Sequence, residues 1–307
     1  MICVLTGGTG GSKMVDGLAQ VVGQPNLTAI VNTADDDDFY GLRVCPDLDI
    51  CTYALAGVVG ERGWGYGGDT FRCLEGLATY GQPSWFGLGD RDLATHLHRT
   101  VMLAEGRTLA EVSADICARL GVQTTLLPMT NQPVRTRITT SEGTRSFEEY
   151  LVKHGAREEI LTIALDGIEA ARPTPGLLDA IATAETIVIA PSSPVVSIGT
   201  ILAVAGVRDA LVNRRERVVG VSPIVGRAPI EGPGHKFLAA IGETECRART
   251  LARMYRDICA TFLIDTADED QADAVAALGV RPVVCDILMP DRSRRSALAE
   301  QVLAAAQ

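Results

Sequence analysis

MICVLTGGTGGSK, residues 1–13, is an apolar run followed by a six-residue segment, Thr6 to Gly11, in which four residues are glycine. Five apolar residues suit a buried strand and are too few for a signal peptide or membrane span. A helical pattern follows over 13–22. Strand, Gly-rich turn and helix make the opening of a phosphate-binding βα unit, with backbone N–H groups and a helix N-terminus facing the anion. The turn is not a Walker A loop, because Ser12 separates Gly11 from Lys13 and no Lys-Ser/Thr pair follows. Nor is it a full G-x-G-x-x-G, since Lys13 takes the last glycine position. Gly8, Thr9, Gly10, Gly11 and Lys13 are candidate phosphate ligands. A plain tight turn is the alternative.

Outward from this unit the pattern repeats. Residues 27–31 read as a second buried strand. Helices are expected over 47–59, 69–80, 92–105 and 109–120, two of them opened by an Asp suited to an N-cap. The β-branched alternation of 134–140 predicts a strand, and 146–152 and 160–165 are further strand candidates. Short apolar runs at 186–190, 217–221, 261–264 and 283–287 then alternate with helical patterns at 176–185, 201–213, 246–255, 271–278 and 293–305. Such alternation predicts an α/β fold, a mostly parallel sheet with helices on both faces. We expect one elaborated domain over 1–307, with 121–170 a smaller β-containing insertion. The loops after the strands are rich in Ser, Thr, Gly and Asp, as a shared cleft at the strand ends would need.

The chain has 307 residues, 47% of them apolar, and a formal net charge of −10. An acidic balance disfavours nucleic acid as a partner but leaves room for a small phosphorylated ligand. Eight cysteines form no C-x-x-C pair, so a structural zinc site has no support. We expect reduced thiols, none of them catalytic, and a cytoplasmic location with no membrane contact.

Asp35-Asp36-Asp37-Asp38 follows the second strand. Four carboxylates in a row repel one another unless solvent or a cation compensates, and magnesium prefers such oxygens. Asp36, Asp47 and Asp49 are the expected metal ligands, with Asp37 and Asp38 solvated. The alternative is a solvated acidic turn. Gly67-Gly68-Asp69-Thr70 and Gly89-Asp90-Arg91-Asp92 combine Gly and Asp with the nearby aromatics Trp64, Tyr66, Trp85 and Phe86. These aromatics could offer a face to a flat aromatic ligand, and Arg91 could pair with a phosphate or with an Asp. Helix capping is the competing reading for Asp90 and Asp92, and core packing for the aromatics. His96 and His98, two apart on a helix, cannot share a metal; each is read as a satisfied or surface histidine.

In order, GGTGGSK, VNTADD, GLRVCPDLDI, RGWGYGGDT, WFGLGDRDLATHLHRT, LPMTNQPVRT, APSSPVVSIGTILAVAGVRDAL and VSPIVG resemble the 2-phospho-L-lactate transferase family over about residues 1–289. The resemblance implies a Rossmann-like core, usually dimeric. It implies transfer of a phosphorylated three-carbon acid from its guanylyl diphosphate to the ribityl 5′-hydroxyl of 7,8-didemethyl-8-hydroxy-5-deazariboflavin, with release of GMP, in coenzyme F-420 biosynthesis. Phosphoenolpyruvyl, 2-phospholactyl and 3-phosphoglyceryl donors are all compatible. On this reading Asp36 and Asp49 are catalytic, holding magnesium or orienting the acceptor hydroxyl, Ser192, Ser193, Ser222 and Gly226 line the nucleotide site, and Asp69, Gly87, Asp90 and Arg91, with Asp49, frame the deazaflavin acceptor. Three positions depart from the family pattern: Ser193 replaces a usual Asn, Gly87 a long polar residue, and His235 a small one. The alternative is a non-enzymatic nucleotide-sugar-binding regulator of the same superfamily. A dinucleotide oxidoreductase is disfavoured by the broken fingerprint.

Overall fold

The computed structural model describes residues 1–60 and 63–306. Arg62, which opens one of the resembling segments, lies outside them. The first half runs β1 (Ile2–Thr6), α1 (Gly8–Val22), β2 (Leu27–Val31), the hairpin β3 (Asp37–Phe39) and β4 (Leu42–Val44), then α2 (Pro46–Ala56), α3 (Arg72–Thr79), α4 (Asp90–Ala104), α5 (Leu109–Arg119) and β5 (Thr125–Pro128). A small antiparallel sheet follows: β6 (Arg135–Thr140), β7 (Gly143–Ser146) and β8 (Thr162–Asp166). Then come α6 (Leu177–Thr183), β9 (Thr186–Ile189), α7 (Ile198–Ala203), α8 (Val207–Val212), β10 (Val218–Val221), β11 (Ile224–Val225), β12 (Ala228–Pro229) and α9 (Gly234–Ala240). The chain closes with α10 (Ala248–Tyr255), β13 (Thr261–Ile264), α11 (Ala272–Ala276), β14 (Arg281–Val284) and α12 (Arg292–Ala305).

Seven strands form one parallel sheet in the order β14-β13-β10-β9-β1-β2-β5. The chain builds outward from β1 through β2 to β5 on one side, and from β9 through β10, β13 and β14 on the other. The direction of winding reverses between β1 and β9. In an open α/β sheet that reversal opens a crevice beyond the strand ends. The expected α/β architecture with helices on both faces is what forms.

Side-chain alternation explains the two layers. Cys3 and Leu5 of β1 point to a core shared with α6, α7, α8 and α10. Ile2 and Val4 point to a second core shared with α1, α2, α5 and α12. Every residue of β1 and β2 is buried, which is why these strands read as continuous apolar runs.

Four local expectations change. Helix α1 begins at Gly8, not residue 13, because Gly10 and Gly11 lie inside its first turn where no side chain fits. A Cβ on Gly10 would stand 2.6 Å from the Pro191 carbonyl, and one on Gly11 2.2 Å from Thr6 Oγ1. The segment 146–152 is not a strand: β7 ends at Ser146 and 149–153 form a π-helical turn. Tyr150, wholly buried in that turn, anchors it by donating to the Glu158 carbonyl at 2.8 Å. The helix expected over 201–213 is two helices, α7 and α8, broken at Gly206 with φ +83°. Residues 125–128, inside the segment read as an insertion, are the edge strand β5 of the main sheet, and the added sheet covers 135–166. No helix among the described residues is long and apolar enough to cross a membrane.

Candidate active site

The crevice beyond β1 and β9 opens into a cleft of about 530 Å³. Its floor is built by polar groups at the strand ends. Gly7 N–H donates to Ser192 Oγ at 3.2 Å, tying the turn after β1 to the turn after β9. Gly8 N–H, the first of α1, donates to Asp47 Oδ1 at 2.8 Å. Gly7, the N-cap, has no side chain and the first turn of α1 has no acid of its own, so the carboxylate that meets the positive end of the helix is that of Asp47.

Asn32, at the end of β2 and fully buried, organises the acids around this end. Its Nδ2 donates to Asp35 Oδ2 and to Asp47 Oδ2, each at 2.9 Å. Its Oδ1 accepts from Ala34 N–H and from Thr200 Oγ1 at 2.7 Å. One amide thus holds two carboxylates. Asp35 Oδ1 also accepts from Thr136 Oγ1 of the added sheet. Glu148, from the turn after β7, lines the same cleft, and its carboxylate has no hydrogen-bond partner among the described residues.

Burial governs the protonation of these acids. It pushes Asp47 up to about 6, against the bonds from Asn32 and Gly8. Burial and the neighbouring Asp47 push Glu148 up to about 8. Asp35 is raised well above the usual range by burial, then by Asp47 and Glu148. Among the described residues no Lys or Arg side chain pairs with any of the three. Three mutually repelling hard-oxygen donors facing one cleft make a site short of positive charge, a donor set that fits magnesium.

A second charged group lies beside it. Arg99, 2% exposed, donates to both carboxylate oxygens of Asp49, at 3.1 Å to Oδ2. It also donates to the Arg43 carbonyl and to His96 Nδ1 at 3.1 Å. A guanidinium can only donate, so Nδ1 accepts and the neutral ring carries its proton on Nε2. That nitrogen lies 3.4 Å from Asp92 Oδ1, which also accepts from Tyr53 Oη at 2.7 Å. Asp49, Asp92 and His96 bring ligand atoms within 4.8 Å of one another. This is not a metal centre of the usual kind: the ring has no free lone pair on the side facing Asp92, and Arg99 already supplies the positive charge.

The sequence-predicted residues divide accordingly. Gly8, Thr9, Gly10, Lys13, Asp47, Asp49, Gly87, Ser192 and Ser193 line the cleft. Asp36 does not. It is buried against Cys45, whose Sγ donates to it at 3.0 Å, and its Oδ1 has no partner; burial pushes it up to about 7. The expected trio Asp36, Asp47 and Asp49 therefore does not meet at one point: Asp36 faces inward and Asp49 faces Arg99. Gly11 packs against Thr6 and Ser192. Ser222 Oγ bonds the backbone of Ile224, and Gly226 N–H donates to Asp268 at 2.9 Å, so neither lines the cleft.

Asp69 and Asp90 exchange caps. Asp69 accepts from the N–H groups of Arg91 and Asp92 at the start of α4. Asp90 accepts from those of Arg72 and Cys73 at the start of α3. Arg91 reaches the Gly67 carbonyl and lies over the Tyr66 ring. Asp69 also lines a second cavity, of about 300 Å³, which shares Trp64, Gly65, Gly87 and Asp92 with the main cleft. Asn32, Arg99 and Glu148 escaped the sequence reading. The Asn of VNTADD was visible, but nothing local shows that it holds two acids.

A family model described as 2-phospho-L-lactate transferase CofD matches residues 2–303. A phosphoenolpyruvate transferase of Streptomyces griseus is 44% identical, covering 100% of this chain and 98% of that one. One of Kitasatospora aureofaciens is also 44% identical, with 100% and 98% covered. Among solved structures, a Bacillus halodurans protein described as a member of the upf0052 family matches with a TM-score of 0.64 at 20% identity, covering 98% of each chain. That likeness concerns the fold.

Proposed function

The chain belongs to the 2-phospho-L-lactate transferase family, the transferases of coenzyme F-420 biosynthesis, and on that premise we propose that it joins a phosphorylated three-carbon acid to a deazaflavin. The donor is the guanylyl diphosphate of the acid, and the acceptor is 7,8-didemethyl-8-hydroxy-5-deazariboflavin. The acceptor's 5′-oxygen forms a bond to the phosphorus nearer the acid, the bond from that phosphorus to the bridging oxygen breaks, and GMP leaves with that oxygen. The hydroxyl proton passes to a carboxylate of the cleft. The relatives named phosphoenolpyruvate transferase favour the phosphoenolpyruvyl donor over the 2-phospholactyl and 3-phosphoglyceryl ones.

The observation that carries the reading is the polarity of the cleft. At one end stand the start of α1, Lys13, and Asp47 clamped by Gly8 and Asn32. At the other end stand Trp64, Phe86 and Gly87, apolar lining against which a flat ring would lie. The phosphates of the donor would lie at the first end, and the ribityl chain would bring its hydroxyl to them. Phosphoryl transfer needs mainly positioning and neutralisation of charge. Magnesium would be held by Asp47 and Asp35 with Glu148 nearby, and when bound would offset charge on the phosphate oxygens. Asp49, held by Arg99, is oriented toward the acceptor side. We also propose a homodimer in the cytoplasm, on the family's habit; light scattering would check the assembly.

Incubation with deazaflavin and each of the three guanylylated donors, followed by mass spectrometry, tests the reading. The phosphoenolpyruvyl diester is expected, with one GMP per product. Absence of product from all three donors would sink it.

A further inference from the structure

At the mouth of the cleft, the Lys13 ammonium lies 2.6 Å from Glu231 Oε1, and Thr9 Oγ1 donates to the other oxygen of the same carboxylate. All three residues line the cleft. Among the described residues Lys13 has no other ion pair. A carboxylate with one oxygen on an ammonium and the other on a hydroxyl, both from the first two turns of α1, is placed as a phosphate would be.

Glu231 reaches this position from the segment 226–234, which carries β12 and leads into α9. The segment is lightly held. Its residues 227, 228 and 230–232 are exposed. Gly226 at its start and Gly232 next to Glu231 have φ +66° and +67°. Ile230 N–H donates to the Pro223 carbonyl at 2.9 Å, and the β11–β12 pair has only two residues on each strand. A partly exposed ion pair contributes little to stability, so a doubly charged ligand can replace it. Glycines in the left-handed region permit the backbone rotation that such a replacement would need.

We propose that Glu231 is an internal occupant of the phosphate cradle, which the donor's diphosphate displaces, so that this residue sets donor affinity. The inference rests on the reading that Lys13 and Thr9 receive donor phosphate. Two consequences follow from the geometry. Donor binding and release of the 226–234 segment are coupled, since both need the same ammonium. A guanine nucleoside with no phosphate leaves the segment in place.

The test is calorimetric titration of the full chain with GDP, using Glu231→Ala, Lys13→Ala and the double variant. Glu231→Ala is expected to bind GDP about fivefold more tightly, the scale of losing one exposed competing pair. Lys13→Ala is expected to bind it at least about tenfold more weakly. In the double variant the gain from removing Glu231 should largely vanish. Backbone amide exchange over 226–234 should rise when GDP, but not guanosine, is added to the unaltered protein. Unchanged or weaker GDP binding by Glu231→Ala, with Lys13→Ala still impaired, overturns the displacement while leaving the cradle. GDP affinity unchanged in all variants overturns both.

Discussion

Asp49 and Arg99 lie 50 positions apart in the chain, and each is the other's principal charge partner. Burying one without the other is costly, because a lone charge in the interior loses its hydration. Arg99→Met should therefore lower unfolding free energy by about 3–5 kcal/mol, read from the urea midpoint. Adding Asp49→Asn should recover part of the loss. No recovery would mean that Arg99 acts mainly through His96 and the Arg43 carbonyl. Asp47 and Asp38 offer the opposite contrast. Asp47→Asn alters the acid that binds Gly8 and Asn32, and turnover should fall by roughly 100-fold with circular dichroism retained. Asp38 pairs with Arg43 at the surface, and Asp38→Asn should leave turnover within about twofold. Steady-state assays of both variants decide the matter; a fully active Asp47→Asn would remove the acid from the phosphate end. At this scale the sequence was partly legible. Asp47 was visible because it stands just inside α2, close after a strand end. Arg99 was not, because its role depends on a contact across the tertiary fold that no local spacing records.

Helices α3 and α4 hold each other by exchanged caps, so neither terminus is independent. Loss of a capping carboxylate typically costs about 1 kcal/mol. Asp69→Ala and Asp90→Ala should each lose that much, and amide protection in α3 should fall most, since Leu74 is its one buried residue. Equal loss of protection in all helices would argue against a local lock. These caps also explain why Asp69 did not begin a helix of its own: it serves α4, while α3 starts later. The slot beside them is equally local. A Cβ on Gly87 would already touch the Trp64 ring at 3.4 Å, so Gly87→Trp has to push Trp64 aside and reshape that wall. The deazaflavin KM should rise while the donor KM stays level; a rise in both would point to general damage. Elements buried on two faces were readable from short apolar runs. The break at Gly206 was not, because the apolar spacing runs through it: Ile201, Val204, Val207 and Leu211 are all buried. The turn at 149–153 was not either, because a run as short as Phe147 to Val152 does not separate a strand from a single helical turn by its apolar spacing.

The acids of the cleft and the inward-facing Asp36 act together on the whole molecule. In the unfolded chain Asp36, Asp47 and Glu148 would titrate near 3.8 or 4.5, whereas in the fold they stand at about 7, 6 and 8. A raised carboxyl favours the native state at low pH, and that contribution disappears as pH rises through the folded values. The metal-free protein should accordingly melt higher near about pH 5.5 than near about pH 8, by roughly 2–4 °C for each kcal/mol involved. Magnesium should close most of that gap at the higher pH and matter less at the lower one. Calorimetry across this range, with and without chelator, is the check, and a flat profile would mean that the acids are not desolvated as the fold implies. The acidic cluster was legible as a candidate cation site. Which acids belong to it was not, since Glu148 arrives from the added sheet and Asp36, just before the β3–β4 hairpin, turns inward to Cys45.

The order of strands also bears on the ribosome. β1 is made first, but its partner β9 begins about 180 residues later. At roughly 5–20 residues per second, one edge of β1 waits on the order of 10–40 s before β9 can cover it. That edge belongs to Ile-Cys-Val-Leu-Thr, an unprotected apolar strand with the composition of an aggregation template. Helix α1 and β2 can shelter one side of it during this delay, while the other stays open until the second half of the chain emerges. Slower translation before residue 186, or scarcity of a holdase, should therefore divert nascent chains into insoluble material even though the finished enzyme has no such edge.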